Sequence, residues 1–413
     1  METLHPREIE LGLSRVVTVR DHLGLAEPPF AIVTVTGTNG KGSTVAMLAQ
    51  TLRAAGYRVG SYTSPHLFDY NERVHIAGRA ASDAELCAAF ERVEAARHDT
   101  PLTYFEFGTL AALDLFREHD LEIVVLEVGL GGRLDAVNAW DAEVSIVTSV
   151  GIDHTDWLGP DRESIGFEKA GIYRSGRCAI CGDSDPPQSL VRHAREIGAR
   201  LLQFGRDFTV EREAGGWTWR HRDSVRPGLP VPAMRGDYQF QNAACVLMAL
   251  ACIADRFPVK TADIRAGLLT TLPGRFQTLP GSPVRVFDVA HNPQAAGALA
   301  ETLRVQPVPG RTIAVCGMLR DKSIAEVVGV LAPLVSSWHV AGLTGSRGTS
   351  GQDMCDALKA GGVTSSVAVH SDVLAAYAAA LKEAAAADRV VVFGSFHTVG
   401  AILRAAPNAP FTQ

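Results

Sequence analysis

The chain has 413 residues, enough at roughly 150 residues per domain for two or three domains with separate cores. Apolar residues make up 46% and charged residues 20%, a mix that excludes a disordered or fibrous chain. Lys plus Arg number 39 against 45 Asp plus Glu, and the net charge of −6 argues against an overall electrostatic grip on nucleic acid or anionic lipid.

The chain opens on Glu2, His5 and Glu8 rather than on the basic and apolar regions of a signal peptide, so a cytoplasmic protein is expected. Ala31 to Thr36 is apolar and β-branched and predicts a strand, followed by a Gly-rich turn and a helix from Ser43 to Ala55. Helices are predicted near Asp83 to Arg97 and Glu106 to Arg117. Leu121 to Glu127 and Val144 to Val150 are continuous apolar runs of the kind buried on both faces of a parallel sheet. Cys178 and Cys181 form the one C-x-x-C pair among seven cysteines. With no second pair nearby they read as small hydrophobes on a buried strand rather than as a zinc site. Phe208 to Arg220, with alternation and a Gly215-Gly216 turn, predicts a hairpin. A helix follows from Gln239 to Ile253. The longest apolar run, Ala243 to Ala254, has 12 residues and falls short of the roughly 20 needed to cross a bilayer.

Breakers crowd the segment from Leu272-Pro273-Gly274 to Pro280-Gly281-Ser282-Pro283, after which the βα alternation restarts. Strands are predicted at Val284 to Val289, Thr312 to Cys316, Ser336 to Val340, Ser365 to Val369 and Arg389 to Phe393, the pattern of a doubly wound domain. The expected fold class is α/β: a P-loop ATPase-type domain with a parallel-rich sheet over residues 1–280, and a Rossmann-like domain over residues 281–413. Two such domains predict a ligand cleft.

Gly37-Thr-Asn-Gly40-Lys41-Gly42-Ser43-Thr44 lies between a predicted strand and helix. Glycines let successive N–H groups curl toward one anion, the helix start adds its positive end, and Lys41 can reach a terminal phosphate. The strict Walker A pattern would need Gly at the position of Val35 and Ser or Thr at that of Gly42, so an ordinary Gly-rich turn is the alternative. Glu127 ends a strand of the same sheet, where a carboxylate can meet Mg²⁺. His154 follows the next strand, and Ser64 a third. Taken singly, Glu127 could be a structural ion pair and His154 a loop histidine. Lys169, by its residue type alone, reads as a solvated lysine on a helix face.

Several runs together resemble the folylpolyglutamate synthase family of the Mur ligase superfamily, in its bifunctional dihydrofolate synthase form. They are the Gly37 to Ser43 turn, Thr63-Ser-Pro-His66 with Glu72-Arg73, and Thr103-Tyr-Phe-Glu-Phe-Gly108. Leu126 to Asp135, Asp153-His-Thr-Asp-Trp-Leu-Gly-Pro160, Pro273-Gly-Arg-Phe-Gln277, Asp288-Val-Ala-His-Asn-Pro293 and Gly394-Ser-Phe-His-Thr398 complete the series in the family's order. The resemblance implies an ATP-dependent ligase that joins L-glutamate to dihydropteroate and to reduced folates through an acyl phosphate. It implies that Thr38, Asn39, Gly40, Lys41, Gly42 and Ser43 hold ATP phosphates, with Asn242, Arg275 and Asp288 also contacting ATP and His291 beside them. Ser64, Glu127 and His154 would take Mg²⁺, and Lys169 would carry a carbamate that approaches a second metal. Lys41, Lys169, His154, Asp288 and His291 are thus the expected catalytic set. Leu4, His5, Thr103, Tyr104, Phe105, Glu106, Leu134, Asp135 and Ala136 would line the pterin site, with core packing as the alternative for Phe105. Arg275, Arg320 and Lys322 could orient glutamate by position, a solvated loop being the alternative for the last two. A monomer is expected, with neither nucleic acid nor membrane as partner. A peptidoglycan-precursor synthetase of the same superfamily fits the Asp153 and Asp288 runs less well. A nucleotide-binding switch would not need Glu127, His154 and Lys169.

Overall fold

The computed structural model describes residues 10–405, so Leu4 and His5 lie outside the described residues. The chain divides into two compact units. The first runs through Gly151 and takes in Thr155–Ala233 and Gln239–Thr270. The second comprises Ile152–His154, Met234–Tyr238 and the chain from Thr271 onward.

The first unit is built on eight strands: β1 (Ala31–Thr36), β2 (Val59–Tyr62), β3 (Val74–Ile76), β4 (Arg79–Ala80), β5 (Ile123–Glu127), β6 (Val144–Val147), β7 (Cys178–Cys181) and β8 (Arg200–Gln203). Their order is β4-β3-β2-β5-β1-β6-β7-β8. All pairs from β2 to β8 are parallel, and β3 and β4 close one edge antiparallel. Every residue of β1 and β5 is buried, which explains why both read as unbroken apolar runs rather than as alternation. The helix Tyr104–Glu118 packs into this core. Its start is fixed by Thr103, whose hydroxyl accepts from the Glu106 N–H while Glu106 accepts from the Thr103 N–H, a reciprocal cap.

A separate three-stranded antiparallel sheet follows: β9 (Phe208–Glu213), β10 (Gly216–His221) and β11 (Ser224–Leu229), with β10 central. The expected hairpin is therefore two strands of three. Trp217 and Trp219 on β10 are buried, and Trp217 meets Phe240 edge-on at 5.8 Å, fastening this sheet to the helix Tyr238–Cys252. Ala243 to Leu250 within that helix are buried, so the longest apolar run is core. Among the described residues no helix is long and apolar enough to cross a membrane.

The second unit carries β12 (Gln277–Leu279), β13 (Val284–Phe287), β14 (Thr312–Cys316), β15 (Ser337–Ala341), β16 (Ser366–His370) and β17 (Arg389–Phe393), in the order β12-β13-β17-β14-β15-β16. Five strands are parallel, as the alternation predicts. The sixth, β12, adds an antiparallel edge against β13. Trp338 and Phe393, 6.1 Å apart, anchor its core with Met354 and Leu331.

Candidate active site

The turn after β1 is held against the segment that follows β6, and its own Thr38 Oγ1 takes part, donating to Gly151 O at 3.0 Å and accepting from the Gly151 N–H at 2.9 Å. The Thr38 N–H donates to Ser149 O at 2.8 Å, the Asn39 N–H donates to Ser149 Oγ at 3.1 Å, and Thr148 Oγ1 donates to Asn39 O at 2.6 Å. These partners follow β6, which pairs with β1, so sheet register sets the shape of the turn. Gly40 stands at φ 89°, where a side chain is strained, and a Cβ there would fall 2.4 Å from Asn242 Oδ1. Gly37, at φ 152°, would put a Cβ 1.9 Å from Thr148 Oγ1. Glycine is thus required at both ends of the loop. The helix Lys41–Ala54 begins directly after it, two residues earlier than the sequence suggests, so the N-terminal N–H groups of the helix belong to the loop. Lys41 Nζ donates back to Gly37 O at 2.9 Å and Thr38 O at 3.3 Å, holding its ammonium at the rim. Ser43 is buried and accepts from Gln239 Nε2 at 3.3 Å, while Asn242 Nδ2 donates to Gln239 Oε1 at 3.0 Å.

Glu127 ends β5 opposite Val35 of β1 and is 5% exposed. Its Oε2 accepts from the Ser64 N–H at 3.2 Å, so Ser64 and Glu127 adjoin as expected. Among the described residues no three His, Cys, Asp or Glu side chains converge as a metal-binding group. A divalent ion here would rely on one carboxylate, hydroxyl oxygen and the oxygens of a bound phosphate, which is a common arrangement for Mg²⁺. The residues fit that ion.

Lys169 corrects one expectation. It lies in the helix Arg162–Ala170 but is 3% exposed, on the same face as Ile165, Gly166 and Ala170, and is not a solvated lysine. The glycine-rich run after Glu127 packs on this helix: the Arg133 N–H donates to Glu168 O at 2.8 Å, and a Cβ on Gly132 would meet Glu168 O and Lys169 O.

Beside this, the residues expected to line a pterin site divide in two. Thr103 and Glu106 are occupied as the helix cap, and Glu106 also binds the Arg15 guanidinium at 2.9 Å. Tyr104 and Phe105 face aromatic and cationic neighbours. Arg73 lies 5.3 Å from the Tyr104 ring, and Phe105 sits 5.8 Å from Tyr62 and against Gly129. Leu134 is half-buried, and Asp135 and Ala136 are buried. Asp135 accepts from the Leu130 N–H at 2.8 Å and the Val137 N–H at 3.1 Å. Burial pushes its carboxyl up to about 7, against the pull of these backbone donors and of Lys41. An unfolded aspartate ionises near pH 4, at about 3.9. Between there and about 7 the folded state binds the extra proton, so stability falls as pH rises through that window, by up to about 1.4 kcal/mol per pH unit. Urea-unfolding free energies should show this slope in the wild-type chain and lose it in the Asp135→Asn variant. The same slope in both would assign the pH dependence elsewhere.

In the second unit, Asp153 is a hub. Its carboxylate accepts from Lys322 Nζ at 2.8 Å and Asn292 Nδ2 at 3.0 Å, with His291 Nε2 at 3.8 Å and His154 Nε2 at 4.0 Å. Burial opposes its ionisation, but His154, Lys322 and His291 outweigh it and hold the carboxyl well below its usual range. Lys322 is consequently buried and paired, which overturns the solvated-loop alternative. Arg320 donates to Ser346 O. Asp288, buried after β13, accepts from the Phe276 and Ala290 N–H groups, each at 2.8 Å. Burial raises its carboxyl even though Arg275 pulls the other way. Arg275 lies 5.1 Å from the Phe396 ring.

Two family models match the chain: the Mur ligase middle domain over residues 35–226, and the Mur ligase glutamate ligase domain over residues 274–396. The dihydrofolate synthase/folylpolyglutamate synthase of Escherichia coli (strain K12) is 45% identical over 404 residues, covering 98% of this chain and 93% of that protein. The chain belongs to this family. Its fold is also that of solved members. E. coli FolC in complex with DHPP and ADP matches with a TM-score of 0.92 and 44% identity, over 98% of this chain and 95% of that one. A bifunctional folylpolyglutamate synthase/dihydrofolate synthase with Mn, AMPPNP and L-glutamate bound matches at 0.90 and 45%, over 98% and 95%.

The family resemblance implies Asn242 but not Gln239, three residues earlier on the same helix face and the link from Asn242 to Ser43. That i, i+3 spacing is the signal that could have found it. The Asp153–Lys322 pair, 169 residues apart, has no such signal.

Proposed function

We propose that this family member is an ATP-dependent ligase that adds L-glutamate to 7,8-dihydropteroate and further glutamates to reduced folates, releasing ADP and phosphate. The observation that carries the reading is the placement of the Lys41 loop after β1 and of Glu127 at the end of the adjacent parallel strand β5, both at the carboxyl end of one sheet.

A carboxylate is a poor electrophile, so the acid oxygen of the pteroate first takes the γ-phosphoryl group and becomes an acyl phosphate. Charge on the transferring group has to be stabilised more than chemically assisted. Lys41 and the N–H groups opening its helix are the donors this chain supplies. Ser64 and Glu127, with His154 as the family resemblance implies, would hold Mg²⁺, which neutralises phosphate charge when bound. A carbamate on Lys169 would serve a second ion. Thr38 to Ser43 position the phosphates, while Asn242 and Gln239 fix the loop from behind. Asp288 and Arg275 contact the nucleotide, as the family's motifs imply. Asp153 orients Lys322, Asn292 and His291. The amine of glutamate then attacks the acyl carbon, the C–O bond to phosphate breaks, and the amine's proton is released. Tyr104, Phe105, Leu134, Asp135 and Ala136 receive the pterin. The reading includes a cytoplasmic monomer with no nucleic acid or membrane partner.

The test is ADP release from purified protein with ATP, Mg²⁺, dihydropteroate and L-glutamate, with each omitted in turn. Release should require both the pteroate and glutamate, and tetrahydrofolate should substitute for the pteroate. ADP release indifferent to either acceptor would remove the reading.

A further inference from the structure

The C-x-x-C pair does not act as a pair. Cys178 opens β7 and Cys181 ends it, and residues three apart on a strand face opposite ways. Cys181 is fully buried, and burial pushes its thiol up to about 12. Cys245 is raised by burial in the same way. Both are inert at neutral pH.

Cys178 has a different neighbour. Arg200, opposite it on β8 and exposed to solvent, donates Nη2 to Cys178 Sγ and reaches Cys252 Sγ at 3.6 Å. One guanidinium nitrogen thus contacts both sulfurs and brings the two thiols together. The neighbouring Cys252 thiol lowers the Cys178 thiol below its ordinary value, burial opposes this and the Arg200 charge adds to it, while the Cys252 thiol is raised. Cys178 itself is buried at 8% exposure, Cys252 is half-buried and Arg200 is exposed, so a thiol favoured as thiolate and its neighbouring thiol lie just beneath a solvent-exposed guanidinium, surroundings in which a cysteine can react with a small oxidant. Cys178 lies at the amino end of the parallel sheet, level with Val144 of β6, whereas the Lys41 loop leaves its carboxyl end. Cys252 is the last residue of the 15-residue helix Tyr238–Cys252, whose first turns carry Gln239 and Asn242. At 1.5 Å per residue Cys252 stands about 15 Å from Asn242 and about 20 Å from Gln239 along that helix.

We propose that Cys178 and Cys252 are a peroxide-reactive dithiol, in which Cys178 is oxidised first and Cys252 resolves it to a disulfide that ties β7 to the far end of the helix bracing the nucleotide loop. The Cys178 thiolate attacks one oxygen of hydrogen peroxide. The O–O bond breaks, hydroxide leaves and is protonated to water, and Cys178 becomes a sulfenic acid. The Cys252 sulfur then attacks Cys178 Sγ, the S–O bond breaks, and the oxygen departs as a second water with the Cys252 proton. The two sulfurs together lose two electrons, and the peroxide gains them.

The test uses the full reduced chain, treated with near-stoichiometric hydrogen peroxide, alkylated and mapped by peptide mass spectrometry. Cys178 and Cys252 should lose alkylation together and yield one cross-linked peptide pair lighter by two hydrogens, reversed by dithiothreitol. Exposed Cys87 should still alkylate. In a Cys252→Ser variant, Cys178 should form a dimedone adduct, and Arg200→Gln should slow disulfide formation by about tenfold as the thiolate fraction drops. The wild-type mapping needs no variant to fold. Cys178 and Cys252 still fully alkylated after peroxide, or oxidation of Cys87 ahead of them, overturns the proposal.

Discussion

A Lys41→Ala variant is expected to lose about a hundredfold or more in kcat for ADP release, the usual cost of removing one preorganised donor from a developing anion. The argument rests on where the ammonium already is. Lys41 Nζ is held at the loop by Gly37 O and Thr38 O, and the loop is shaped by Thr148, Ser149 and Asn242, none of which depends on the lysine side chain. Removing it should leave the loop in place and the melting temperature nearly unchanged, because Lys41 is only half-buried and its loss opens no core cavity. Lys41→Arg should not restore turnover, since a planar guanidinium cannot occupy the position of a compact ammonium between two carbonyls. A kcat within tenfold of wild type in the alanine variant, at saturating ATP, would place the phosphoryl-transfer charge elsewhere.

How much of this was legible in the sequence depends on whether the cause is local. β1 and β5, buried on both faces, announce themselves as continuous apolar runs, and the breakers that follow make the loop readable. β11 was missed because Pro227 and Gly228 lie inside it. At the edge of a three-stranded sheet a proline costs no ladder bond, so a sequence that argues against a strand still forms one. Lys169 was misjudged on residue type, although its spacing from Ile165 put it on the buried face. Helical period would have been the better guide. The pairing of Asp153 with Lys322, and the meeting of Cys178 and Cys252 at Arg200, arise from tertiary packing alone. No pattern within the segments encodes them.

Lys169→Ala is the second variant expected to fail in turnover, by about a hundredfold or more, and it bears on the chemistry of a buried amine. At 3% exposure this side chain sits inside the protein, behind the glycine-rich run that follows Glu127. The neutral amine joins CO₂ with formation of an N–C bond and release of one proton, so a lysine that starts as the ammonium sheds two protons in all and exchanges a cationic end for an anionic one, which is what a position serving a metal needs. Two measurements separate that role from a structural one. A short carboxylic acid such as acetate, supplied to the alanine variant, should partly restore ADP release by filling the space with an anion. Wild-type activity should fall when bicarbonate and CO₂ are removed from the buffer, and return on their addition. Rescue also shows that the variant is folded, since an acid cannot repair a collapsed core. An alanine variant with full activity, or one that acids leave inactive while CO₂ removal leaves the wild type untouched, would mean that Lys169 works as an amine, or not in the reaction.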